Sequence, residues 1–338
     1  MRKQILLISI IIIIIFIGCT NQVEEESIYQ TTGSIERLDP EINKLMVEDA
    51  VIEILAEGFI WSEGPLWLEK EQMLIFTDVP TNTIYQYSYS DSLAIYLKPS
   101  GLTGEGPDKG DSGGNGLVLD KDGNLIICQH GDRRVAKMLA PLNNPEPQFE
   151  TLADRFEGKR FNSPNDLVYD KSGNLYFTDP PYGLKEKDDD PRKEIAYNGV
   201  YRLSVQGEVN LLTDKQTRPN GIGLSPDGHR LYVANSDPEK CLWMVYDLME
   251  DGTINEGRIF FDATNLCNGK NGLADGLKVN KEGYLFATGP GGVLVLSAEG
   301  KHLGTIKTGK STANCAFNTD ESILYMTAHD QLMRIKLK

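Results

Sequence analysis

The sequence predicts an all-β chain folded as a six-bladed β-propeller, each blade a four-stranded antiparallel sheet. One hairpin pattern returns six times at intervals near 50 residues, and short β-rich stretches fill the spaces between the copies. No segment carries the 3.6-residue periodicity of a long amphipathic helix. A β-sandwich is the weaker alternative, because two packed sheets do not call for one motif repeated six times.

The first element in chain order stands apart from the propeller. Arg2 and Lys3 precede an apolar run from Ile5 to Ile17 that ends at Gly18-Cys19. A short basic region, about a dozen apolar residues and a small residue at the cut describe an export signal. The run falls short of the roughly 20 residues that a spanning helix needs. Phe16-Ile17-Gly18-Cys19 is similar to a bacterial lipobox, which implies a signal peptide over residues 1–18 and lipidation of Cys19 as the mature N-terminus. Thr20 is not the Asp linked to inner-membrane retention, so the expected location is the periplasmic side of the outer membrane. Residues 19–34, with Glu24-Glu25-Glu26, are expected to form a flexible tether.

Residues 35–338 are assigned to the propeller. The stretch 50–56 reads as a strand ahead of the first hairpin. The clearest hairpin is Asn165-Asp166-Leu167-Val168-Tyr169-Asp170, then a Lys171-Ser172-Gly173-Asn174 turn, then Leu175-Tyr176-Phe177-Thr178-Asp179. Apolar, β-branched and aromatic residues flank a turn of small polar ones, as a hairpin requires. Close copies lie at 115–129, 220–235 and 275–288, and weaker ones at 63–78 and 314–328. Leu74, Leu125, Leu175, Leu231, Leu285 and Leu324 open the second strands, with separations of 51, 50, 56, 54 and 39 residues. Further strands are expected at 83–89, 200–203, 243–247 and 293–297. The last blade lacks room for a fourth strand, so 50–56 is predicted to complete it, close the ring and cover an open sheet edge.

Composition narrows the function. The 338 residues hold 34 Lys and Arg against 49 Asp and Glu, a net charge of −15, which argues against nucleic-acid phosphates as partners. Four cysteines remain after Cys19: Cys128, Cys241, Cys267 and Cys315. Their wide spacing fits no zinc pattern, and buried free thiols are expected, with a disulfide as the alternative in an exported chain.

Counting back 10 or 11 residues from the six leucines reaches Glu63, Asn115, Asn165, Asn220, Asp275 and Asn314. Inner strands of a propeller begin at one rim of the central channel, so these positions are predicted to form a ring of two carboxylates and four amides. Hard oxygen donors without Cys or His suit a hard divalent cation: Ca²⁺ foremost, with Mg²⁺, Mn²⁺ or Zn²⁺ as alternatives. Two carboxylates against a dication leave little net charge, so such a site can be buried. For Asn115 and Asn314, strand capping is an equal reading.

Several ordered motifs then point to a family. Glu63-Gly64-Pro65-Leu66-Trp67, the glycine-rich 113–116, and the stretches 128–135 (CQHGDRRV) and 162–168 (NSPNDLV) are four of them. The others are 177–183 (FTDPPYG), 218–228 (RPNGIGLSPDG), 274–277 (ADGL) and 289–293 (GPGGV). Together they resemble the senescence marker protein/gluconolactonase (regucalcin-like) family, in its bacterial gluconolactonase branch. The resemblance implies a six-bladed propeller with one divalent cation in its channel. Glu63, Asn220 and Asp275 match that family's ligands, and Asn165 matches a residue that contacts metal or substrate. It implies hydrolysis of a sugar lactone to the aldonic acid, with Asp275 as base. Animal members carry an arginine two residues before the position of Asn165; here that place is Ser163, with Arg160 further back. Substrate contacts of the animal branch therefore do not transfer. Diisopropyl fluorophosphatase propellers use a similar oxygen set, so a metal-dependent esterase or organophosphatase stays open. A non-catalytic binding propeller is the third reading.

The second strands return to the same rim near Asp78, His130, Asp179 and Asn235. His130 is a candidate for a substrate hydrogen bond or proton shuttle, a structural histidine being the alternative. Arg133, Asp179 and Tyr182 are candidates for contact with sugar hydroxyls. Trp61 and Trp67, on either side of Glu63, are expected to pack between blades, and 185–194 (KEKDDDPRKE) to be a solvated loop. The expected partner is a small lactone, with membrane contact only through the lipid on Cys19 and a monomer or weak dimer as assembly.

Overall fold

The computed structural model describes residues 29–338, apart from 89, 91 and 105–110. The export signal, Cys19 and residues 20–28 lie outside the described residues. The rest is a six-bladed β-propeller in which each predicted hairpin is the inner pair of a blade. The innermost strands are Ser62–Leu68, Gly114–Leu119, Leu167–Tyr169, Pro219–Leu224, Leu277–Val279 and Asn314–Phe317. The strands expected between hairpins are present as Thr83–Ser88, Gly199–Leu203, Leu242–Asp247 and Gly292–Leu296. The helices of the described residues are four short 3₁₀ turns, and none is long and apolar enough to cross a membrane.

Side chains alternate across a strand, so each blade presents apolar residues to both neighbours. Six buried apolar clusters result among the described residues, one at each boundary between adjacent blades. Trp67 lies at the boundary of the first and last blades, stacked on Tyr325 with ring centroids 5.8 Å apart, as expected of a packing residue. At the next boundary, Leu125, Ile127, Ile75 and Leu68 are all fully buried, each worth about 2 kcal/mol of apolar transfer.

Ring closure is as predicted. Ile52–Glu57 pairs antiparallel with Gln331–Lys336 and becomes the outer strand of the sixth blade. The N-terminal segment goes further than the sequence suggested. Thr31–Thr32 pairs with Ile52–Glu57, and Ser34–Arg37 adds a fifth strand to the fifth blade against His302–Lys307. Ordered structure therefore begins ahead of residue 35, and the last residues of the expected tether are strands. They cover two sheet edges that would otherwise offer unpaired N–H and C=O groups. The 3₁₀ turn Pro40–Lys44 and the residues just after it then bury Ile42 and Met46 against the fifth and sixth blades.

Candidate active site in the propeller channel

Four of the six ring residues are the first or second residue of an innermost strand, and Asn165 and Asp275 stand two residues ahead of theirs. In three blades the pairing skips at that point, between Glu63 and Leu66, Gly114 and Leu117, and Pro219 and Ile222. A bulge breaks the strict alternation of the strand and re-aims a side chain, here into the channel. Close approach of neighbouring inner strands does the rest. Gly64 has φ +47°, and a Cβ added there would lie 2.0 Å from the Asn115 carbonyl oxygen. At Gly221 it would lie 2.3 Å from the Asp275 carbonyl oxygen. Only glycine admits these contacts.

Buried threonines from three of the second strands tie a ring segment of the next blade in place. Thr77 donates to the Asn115 carbonyl at 3.2 Å, Thr178 to the Asn220 carbonyl at 2.7 Å and Thr288 to the Ala313 carbonyl at 2.8 Å. Each satisfies a carbonyl that the bulged or short ladder leaves over.

Glu63, Asn115, Asn165, Asn220 and Asp275 line a single cavity of about 730 Å³. Trp61, His130, Tyr182, Lys187, Arg218 and Lys270 contribute to its walls. Asn220 lies beside both Asp275 and Tyr182 and favours their charged forms. Asn314 holds the same register but serves another purpose. Its Oδ1 accepts from the Cys315 N–H at 2.9 Å and the Lys278 ammonium at 3.4 Å, and its side chain hydrogen-bonds Glu63.

Negative charge is crowded here. Burial pushes the Glu63 carboxyl up to about 7, and the nearby Asp166 charge adds to this; the Gly64 N–H, Asn314 and Lys278 act in the other direction. Burial, with the charges of Glu63 and Asp166, holds Asp275 well above the usual carboxylate range. Three buried oxygens at this place lack a partner: Asn115 Oδ1, Asp166 Oδ2 and Asp275 Oδ1. All three accept and none donates, so what the site wants is positive charge. No three His, Cys, Asp or Glu side chains among the described residues converge as ligands. A cation bound here must therefore take part of its shell from amide oxygens and water. That mixture, oxygen throughout, fits a hard divalent ion.

His130 is buried between Asn115 and the loop at Asp111. Its Nδ1 lies 3.2 Å from the Asp111 carbonyl, which can only accept, so the neutral ring carries its proton there. Nε2 then accepts from the Asn115 amide at 3.3 Å, which turns Asn115 Oδ1 to the cavity. Burial lowers the His130 pKa to about 4. The folded state thus resists a proton that the unfolded chain accepts below pH 6.5. Stability contributed by neutral His130 is present above pH 6.5 and is lost as pH falls toward 4. Wild type should lose about 3 kcal/mol more than His130→Gln between pH 7 and pH 4, measured by urea unfolding. Parallel losses in the two proteins would contradict a neutral buried ring.

Comparison with known proteins now places this architecture. A family profile described as the SMP-30/Gluconolactonase/LRE-like region matches residues 16–330. The chain belongs to that family. It is 36% identical to a gluconolactonase of Zymomonas mobilis, over 91% of this chain and 87% of the relative. It is 25% identical to a pentonolactonase of Haloferax volcanii, over 78% of this chain and 80% of the other. A solved gluconolactonase from Xanthomonas campestris superposes with a TM-score of 0.77 at 27% identity, covering 91% of this chain and 98% of that one.

Within this family member, the remaining sequence candidates divide. Asn165, His130 and Tyr182 face the cavity. Arg133 and Asp179 do not line it. Arg133 is buried and gives its Nε to the carbonyls of Phe161 and Asn162, at 2.7 and 3.2 Å. Asp179 is fully buried and accepts the N–H groups of Asn162 and Ser163, at 2.8 and 2.7 Å. Asp78 does the same for Ile60 and Trp61, and Asn235 for Arg218. These rim positions therefore hold the segment entering the inner strand.

Other site residues escaped the sequence reading. Trp61, expected to pack between blades, lines the cavity, edge-on to His329 with centroids 5.5 Å apart. The 185–194 loop brings Lys187 to the cavity, while its Asp188 pairs with Arg218. Asp166 and Lys278 set the charge around Glu63. Asp166 directly follows a ring residue and was legible as an acid at the channel. Lys278 had no such signal.

Proposed function

We propose that this chain is a metal-dependent lactonase that opens a gluconolactone-like sugar lactone to the aldonic acid. The observation that carries the reading is the set of unpartnered acceptor oxygens and crowded carboxylates around one cavity, in a family that includes the gluconolactonase and pentonolactonase named above. Glu63, Asn165, Asn220 and Asp275 would hold the cation, and Asn115 Oδ1 faces the same space. Ca²⁺ suits this donor set best. When bound, the ion supplies a Lewis acid for the lactone carbonyl and a counter-charge for its oxygen.

The chain's own residues do the remainder. Asp275 Oδ1 has no other partner and is the base that takes a proton from the attacking water. As the ring C–O bond breaks, the departing alkoxide recovers that proton and becomes the free hydroxyl of the aldonate. A lactone is a reactive ester, so a weak carboxylate base suffices. Neutral His130 fixes the orientation of Asn115, and Tyr182 stands beside Asn220. Arg218, Lys187 and Trp61 stand where sugar hydroxyls would meet the wall.

The test is turnover of a panel of aldonolactones, aryl esters and a fluorophosphate, before and after chelation. Sugar lactones should lead the ranking. EDTA should lower their turnover by at least about 10²-fold, with recovery on added Ca²⁺. Activity unaffected by EDTA would reject the metal, and preference for a fluorophosphate would reject the substrate class.

A further inference from the structure

Cys241 and Cys267 are the two described cysteines that the fold brings together. Cys128 lies in the apolar cluster between the second and third blades, and Cys315 in that between the fifth and sixth. Cys241 and Cys267 share the cluster between the fourth and fifth. Backbone geometry explains their approach. The Cys241 carbonyl accepts the Ala263 N–H at 2.8 Å, one step beyond the pairing of Leu242 with Asp262. The 3₁₀ turn Thr264–Leu266 then returns the chain, so that the Cys267 sulfur sits 3.6 Å from the Ala263 carbonyl oxygen. Both cysteines thus flank Ala263 in the same apolar cluster.

Their position bears on the cavity. The Cys241 sulfur accepts the Ala274 N–H at 3.2 Å, and Ala274 directly precedes Asp275. Between Cys267 and Ala274, residues Lys270, Asn271, Gly272 and Leu273 form one wall of the cavity. We propose that Cys241 and Cys267 are a disulfide-forming pair that, when oxidised, pins this wall and the approach to Asp275.

Cys267 is partly exposed and Cys241 is fully buried, which orders the chemistry. The Cys267 thiolate attacks an exogenous disulfide RSSR, forming a mixed disulfide and releasing RS⁻. The Cys241 thiolate then attacks the Cys267 sulfur and releases the second RS⁻. Two S–H bonds give one S–S bond, RSSR is reduced to two RSH, and the two protons pass to those thiolates. An exported chain, as the N-terminus predicts, would meet such oxidants.

The experiment uses the full chain treated with oxidised glutathione or with dithiothreitol, then unfolded, alkylated, digested and analysed by mass spectrometry. After oxidation, the Cys241 and Cys267 peptides should be recovered as one cross-linked species, with Cys128 and Cys315 alkylated in both samples. The link closes a ring of about 27 residues, so the oxidised protein should melt roughly 5 °C higher. Cys267→Ser should lose both changes and melt like reduced wild type. Alkylation of all four cysteines after oxidation, or glutathione retained on Cys267 without the cross-link, would overturn the proposal. Wild-type peptides alone decide this, whether or not the variant folds, and neither outcome depends on the lactonase reading.

Discussion

Asp275→Asn should lower kcat/KM for a sugar lactone by about 10³-fold or more, roughly 4 kcal/mol of transition-state stabilisation. The substitution keeps the volume of the side chain and its place beside Asn220, but it removes the charge and the basic lone pair. It also removes one of the carboxylates that raise one another in the channel. In chelator, the variant should therefore melt no lower than wild type, because an uncompensated buried charge has been taken out. This pairing of lost activity with retained or improved apo stability separates a functional carboxylate from a structural one. A variant within tenfold of wild type would contradict the role of Asp275 as base.

Glu63→Gln should weaken the cation site instead of the proton transfer. Glu63 accepts the Gly64 N–H at 3.0 Å and is held by Asn314, so the amide can retain the geometry while losing the charge. The Ca²⁺ concentration needed for half-maximal turnover should rise by at least about 100-fold, whereas turnover at saturating Ca²⁺ should recover in large part. Asp275→Asn should show no such recovery. Calcium-activation curves for the two variants distinguish Glu63, a ligand alone, from Asp275, both ligand and base, and identical curves would dissolve that distinction.

Much of the fold was legible because a propeller repeats its local chemistry. Turn residues at fixed offsets and apolar residues alternating on either side mark each hairpin, and the shortage of residues after the last one called for the strand Ile52–Glu57. Thr31–Thr32 and Ser34–Arg37 were not legible. They are short and polar, and what orders them is a pair of open sheet edges that exists only in the folded ring.

The site shows the same division. Register alone brought Glu63, Asn115, Asn165, Asn220 and Asp275 to one cavity, because equivalent positions of a symmetric ring must converge. Register could not reveal that Asn314 spends its amide on Glu63, Cys315 and Lys278. At the rim, Asp179 looked like a substrate contact because it ends a strand that points to the channel mouth. The repeated Thr-Asp pair, Thr77-Asp78 and Thr178-Asp179, already held the correction. A recurring acid in structurally equivalent places is what loop capping requires, and both aspartates accept two backbone N–H groups.

If oxygens from successive blades converge on one dication, calorimetric titration of chelator-treated protein with Ca²⁺ will register it. One equivalent should bind per chain in the wild type, with binding greatly weakened in Glu63→Gln and lost in the Glu63→Gln/Asp275→Asn double variant. No heat of binding in the wild type, or one equivalent still bound by the double variant, would contradict it.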